Sequence, residues 1–211
     1  MHKVDLQKGE WAKEKSTAGG YYIRVLPVEK TDESGNVIVV SVEDKIDHKP
    51  AKKDFSDLEA RWLSGNKRWK KREVEDYAKS GAVKVFAING VSGWLDSEAR
   101  VSIRRAVADK AAQGRESVTV YLSEVGFTMT PAKAEEILAA VEVYASDCFD
   151  VTENHKAAVD ALDNVDAVEA YDMQTDTPSR SSSRSKCYTS PTLRIYAEGG
   201  CLVAEFRNHL I

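Results

Sequence analysis

Three times along this chain a β-rich run is followed, after a short stretch of turn chemistry, by a second one. "YYIRVLPV" and "NVIVVSVEDKI" flank "EKTDESG", "AVKVFAINGVSGWL" turns at Asn89-Gly90, and "ESVTVYLSEVGFTM" bends near Glu124 to Gly126. Connections this short join strands antiparallel, so the runs read as β-hairpins, the first pairing about 21–28 with 37–46. Helical segments separate the hairpins. The pattern predicts an α+β fold in which small antiparallel hairpins pack with a C-terminal helical hairpin.

The helices announce themselves unequally. Pro50 closes the first hairpin, and Asp54 is placed to cap a helix with Phe55, Leu58, Trp62 and Leu63 on one face. "SGN" at 64–66 predicts a break, followed by "KRWKKREVEDYAKSG", of poor period. Asp96 or Ser97 caps "SEARVSIRRAVADKAAQG", and Gly114 ends it. Thr130 and Pro131 open the clearest helix, where Ala134, Leu138, Val141, Ala145 and Cys148 recur at three- and four-residue steps. Thr152 reads as the cap of a second helix carrying Val159 and Leu162, with a last turn through Val165, Val168 and Tyr171. Trp94, Phe127, Tyr144 and Phe149 are expected in the core.

Composition divides the chain into 1–50, a leader with the first hairpin; 51–172, the α+β domain; and 173–211. The last segment carries five basic and three acidic residues, so a net charge of −4 leaves an acidic body of −6 before it. Such a body gives no general reason to expect nucleic acid as a partner. Hydrophobic residues make up 42% of the chain, with no apolar run long enough to span a bilayer. "MHKVDLQKGEWAKEKS" has no secretory character, and three cysteines without paired spacing argue against a zinc ribbon or a disulfide scaffold.

No catalytic constellation stands out. The glycines near Ser92 lack the spacing of a P-loop or dinucleotide fingerprint, and no serine sits in a nucleophile elbow. Glu135 and Glu136 belong to a first helical turn, where negative charge complements the helix dipole. His155 lies near Cys148, Asp150 and Glu153, but the expected cap at Thr152 puts these groups on separate helices, and His2, His48 and His209 stand alone. The reading is therefore non-enzymatic, with no catalytic residues, cofactor or metal. Two groups remain for partner binding. Trp11, Tyr21 and Tyr22 flank flexible sequence and offer a docking surface. Lys67, Arg68, Lys70, Lys71 and Arg72 surround Trp69 in a basic cluster that phosphates would favour, although Glu73, Glu75 and Asp76 follow and favour a solvated face with Trp69 anchored inward.

Residues 70–172 resemble a family of domains of unknown function. The resemblance is carried by "WLD…R" leading into a helix, by the hairpin running into "AAVEVYASDCFDVT" and "NHKAAV", and by the closing "AYD". Its members occur in phage and prophage proteins, notably of gut Bacteroidetes, and are often encoded near tail-fibre genes. "VDLQKGEWAKEK" with "GGYYIRVLPVEK" also looks like the leader of such proteins. The resemblance implies a protein of the bacterial host cytoplasm or the virion, partnered by other phage structural or assembly proteins in tail or tail-fibre assembly, away from membranes. The alternative is a phage accessory factor binding nucleic acid or a host protein through 67–72. Family members continue past "AYD" with tyrosine and a glycine-tyrosine-proline segment, whereas here serine and arginine follow. Residues 173–211 accordingly read as an out-of-frame extension, or else as a Ser/Arg-rich arm. Both readings expect disorder there, with at most a hairpin at "TLRIYAEGGCLVAEF".

Overall fold

The computed structural model describes residues 1–174 and the backbones of strands Tyr188–Ser190, Leu193–Glu198 and Cys201–Phe206. The α+β class is as the sequence implies. Two compact units divide the chain: Met1–Lys70 with Ala161–Tyr171, and Lys71–Asp160 with Asp172–Ile211. The sequence boundary at residue 50 lies inside the first of them.

In the first unit, the expected hairpin becomes β3 (Gly20–Thr31) and β4 (Val37–Ile46). The leader, read as flexible, adds two more strands, β1 (His2–Gln7) and β2 (Glu14–Thr17), around a short 3-10 helix at Lys8–Glu10. The sheet order is β1-β4-β3-β2, antiparallel throughout. Register sorts its two faces. Ile23, Val25, Val42 and Ile46 gather on one, against Phe55, Leu58 and Trp62 of helix α1 (Lys52–Lys79). Leu58 and Ile23 are wholly buried, each worth about 1.5–3 kcal/mol relative to exposure.

α1 runs unbroken through Ser64-Gly65-Asn66, where a break was expected. The Asn66 amide donates to the Trp62 carbonyl one turn back, so its side chain serves the helix and does not end it (2.9 Å). A single interior glycine costs only about 1 kcal/mol, which packing of the amphipathic face outweighs.

The second unit keeps the two-residue turns. β5 (Phe86–Ile88) and β6 (Val91–Gly93) join at Asn89 and Gly90, whose φ values of 46° and 83° suit a tight hairpin. β7 (Val118–Leu122) and β8 (Val125–Met129) join at Ser123 and Glu124, both with positive φ, one step before the bend expected from sequence. Asp96 caps α2 (Ser97–Ala112) by accepting from the Ala99 amide (2.7 Å). Phe86, Ile88, Leu95, Val107, Val120, Leu122, Leu138 and Val141 form the core of this unit.

The expected helical hairpin is replaced by a single helix, α3 (Pro131–Ala161), which continues through Thr152. The Thr152 hydroxyl donates to the Cys148 carbonyl (2.7 Å), the bond of a residue inside a helix. A short α4 (Val165–Ala170), capped by Asn164, follows in the first unit. In the second unit Lys71 of α1 reaches Asp160 of α3 (2.8 Å), and Lys156 reaches Glu75 (3.2 Å).

The Ser/Arg-rich run lies outside the described residues. Beyond it, β9 (Tyr188–Ser190), β10 (Leu193–Glu198) and β11 (Cys201–Phe206) are described as strands, and β10 with β11 forms the hairpin noted in the sequence. β11 also pairs parallel with β5, giving the sheet order β6-β5-β11-β10-β9.

Candidate functional site

The sheet of the first unit leaves much of one long strand unpaired on its outer side. β2 meets only Gly20–Ile23 of the twelve-residue β3, and one further bond, from the Arg24 amide to the Lys13 carbonyl (2.9 Å), ends the contact. Among the described residues no strand pairs the same edge from Val25 to Thr31. β4 holds the opposite edge, so this stretch is ordered while its outward amides and carbonyls stay unpaired with other strands.

A bulge shapes that edge. Val25 pairs with Val42 and Val28 with Val40, so Leu26 and Pro27 together face Ser41. Leu26 takes a left-handed φ of 52°, uncommon for a side chain of this size. Pro27 has no amide hydrogen and fits only such a bulge or an edge. Leu26 is 40% exposed, Val28 47% and Val37 44%. Register places Val28 and Val37 on opposite faces, so the apolar exposure brackets the hairpin end.

Behind the edge the sheet is braced. Arg24 and Glu43 sit directly opposite and form a buried ion pair (2.7 Å). The Arg24 guanidinium also donates to the Ala12 carbonyl (3.1 Å), and Lys8 pairs with Glu29 (3.0 Å). Since β1 and β2 occupy opposite edges, residues 8–13 must cross a face of the sheet, and these contacts identify it.

At the exit of β4, His48 lies between Asp47 (3.0 Å) and Asp54 (3.2 Å), and Asp54 also accepts from the Ala51 amide (2.7 Å). The hydrogen bond His48 donates to Asp47, then the one it donates to Asp54, raises the His48 pKa above its ordinary value. The Ala51 amide is the main cause holding the Asp54 carboxyl below its own.

The sequence-predicted binding residues do not assemble into one surface. Tyr21 and Tyr22 are half-buried where β3 is paired on both sides, and Trp11 is half-buried in the crossing segment. Lys70 donates to the Glu169 carbonyl (3.4 Å), and Lys71 is held by Asp160. Lys67 is half-buried, whereas Arg68 and Arg72 are exposed without an acidic partner among the described residues. Trp69 is 63% exposed, not anchored inward, although it continues the helical stripe on which Phe55, Leu58 and Trp62 meet the sheet. Phe149, expected in the core, is 64% exposed.

With α3 continuous, Cys148 and His155 lie two turns apart on one face, and both are buried. Burial pushes the Cys148 thiol pKa up, away from a reactive thiolate. Among the described residues no three His, Cys, Asp or Glu side chains are grouped to hold a metal ion, and no helix is long and apolar enough to cross a membrane. The sequence sign that would have found the β3 edge is Pro27, which has no place in a strand bonded on both sides. Comparison with protein-family models, curated proteins and solved structures gives no match.

Proposed function

We propose that this chain is a non-enzymatic phage or prophage protein that docks onto another tail or tail-fibre component during assembly. The attachment mode is addition of a partner strand to the outer edge of β3. The observation that carries the reading is this edge, held in register by β4 and left open beyond Arg24. An added strand would satisfy its unpaired backbone groups, while Leu26, Val28 and Val37 supply apolar contact on either side. The phage setting rests on the resemblance of residues 70–172. In this reading the second unit serves as a platform.

The test is affinity capture from induced cells of the carrier bacterium, using the full chain and a Val28→Lys variant. A charge on an open edge opposes strand addition. Tail components retained by the wild type and lost by the variant support the reading. Equal retention by both excludes the β3 edge as the attachment site.

A second reading draws on the exposure of Trp69 beside Arg68, which suits stacking on a base next to a phosphate contact. It would make the chain an accessory factor that binds single-stranded nucleic acid. Retention on an oligonucleotide that falls steeply with salt and is lost in Trp69→Ala would favour it.

A further inference from the structure

A cavity of about 420 Å³ opens within the second unit, bordered by α1, α2 and α3. This is within the range of small-molecule sites, roughly 300–1,000 Å³. Its aromatic wall is fixed in place. The Trp94 ring meets Phe86 edge-on (6.3 Å, 67°) and Tyr144 likewise (6.2 Å, 65°). The Arg100 guanidinium stacks over it at 5.7 Å and is itself held by Glu142 (2.7 Å) and the Leu95 carbonyl (2.8 Å). Tyr144 is anchored in turn, donating to the Val83 carbonyl (2.7 Å). Phe149, with most of its ring in solvent, lines the same cavity.

The charges lining this space are unevenly spent. Glu75 and Glu153 both bind Lys156, at 3.2 and 3.0 Å. Asp96 is occupied in capping α2, and Arg100 is neutralised by Glu142. Lys79 and Lys84 remain, without an acidic partner among the described residues, and both line the cavity. Lys79 closes α1, where the helix dipole offsets part of its charge. Lys84, half-buried in the connection between α1 and β5, is the better placed cation for a ligand.

From this arrangement we propose that the cavity binds a small anion with a flat apolar body, its ring packed against Trp94 and Phe149 and its anionic group at Lys84. Ring and charge are recognised together, and a preformed aromatic wall limits the ordering cost of binding. The site is independent of the β3 edge.

Three indoles of one shape and different charge serve as probes for the full chain: indole-3-acetate, neutral tryptophol and cationic tryptamine. Indole-3-acetate is expected to saturate with a dissociation constant of about 1 mM or below, as ligands of its size do at ordinary efficiency. It should perturb the Trp94 indole NMR signal, and tryptophol and tryptamine should bind progressively more weakly. Lys84→Glu is expected to weaken indole-3-acetate at least about tenfold, because a charge-assisted contact becomes a repulsion. Ala145→Leu, which narrows the cavity from α3, should weaken all three probes. Lys84→Gln, milder at a half-exposed position, provides the folded control, with an intermediate loss expected. Absence of saturable binding, equal affinity for all three probes, or unchanged affinity in folded Lys84→Glu would each overturn the proposal.

Discussion

Replacing Arg24 with methionine would strand the Glu43 carboxylate inside the sheet. Glu43 is 7% exposed and Arg24 5% exposed, so water cannot replace the lost partner. The other basic side chain near Glu43 among the described residues is His2, whose Nε2 lies 3.8 Å away on a side chain 62% exposed. An uncompensated buried charge of this kind costs about 3–5 kcal/mol. The double variant Arg24→Met/Glu43→Met removes both charges and keeps most of the volume. Its expected cost is about 1 kcal/mol, that of the lost bond to the Ala12 carbonyl. Because the chain has two compact units, a global unfolding midpoint can mix their transitions. Amide exchange of Val39–Glu43 in β4 reads the sheet itself. The single variant should lose most of its protection there, and the double variant should regain it. A single variant within about 1 kcal/mol of wild type, or a double variant no better than the single, would refute the argument that burial makes this pair interdependent.

Gly20→Ala should destabilise the same sheet by at least about 2 kcal/mol in the same exchange experiment, because its Cβ would collide with the Ile46 carbonyl oxygen at a φ of 121°. His48, followed by NMR, should titrate above its ordinary 6.5, and Asp54→Asn should move it back down. The sign follows from the shifts. The raised His48 favours folding below its ordinary pKa and loses this effect as pH climbs through the raised value. Asp47 and Asp54, held low, lose theirs as pH falls through their lowered values, so the cluster contributes most between the two ranges. Tyr144→Phe should cost about 1 kcal/mol, read by amide exchange in α3, because it removes the hydroxyl's bond to the Val83 carbonyl (2.7 Å) while the Val85 amide still donates there (3.1 Å). Thr152→Ala should stay within about 0.5 kcal/mol of wild type with unchanged helix content by circular dichroism, where a true N-cap would cost about 1 kcal/mol.

Local chemistry explains which parts of this fold were legible in the sequence. Asn89-Gly90 can hardly be read except as a tight turn, and Thr130-Pro131 opens α3 with a hydroxyl residue followed by proline at the first helical position. The expected breaks at Ser64–Asn66 and Thr152 failed for one shared reason. Side chains of turn-forming type bond back to a carbonyl one turn earlier, at Trp62 and Cys148, and so remain inside a helix. The leader strands were missed because β1 finds its partner in β4, far along the chain, and its own apolar residues, Val4 and Leu6, are few. The parallel pairing of β11 with β5 is likewise non-local and has no turn signal to announce it. At the docking edge, "RVLPVEKT" carries its clue in a single proline, whereas the basic run 67–72, far more conspicuous, is partly consumed by contacts with Glu169 and Asp160.

Docking at the outer edge of β3 is tested most directly by photocrosslinking in the carrier bacterium after prophage induction. A photoreactive residue at Val28 is compared with one at Val101 on α2, which is the more exposed of the two (66% against 47%). The expected result is an adduct from Val28 with a tail or tail-fibre component, mapped by mass spectrometry to an extended segment of that partner, and none from Val101. An adduct with such a component from Val101 alone, or no adduct from Val28, would contradict it.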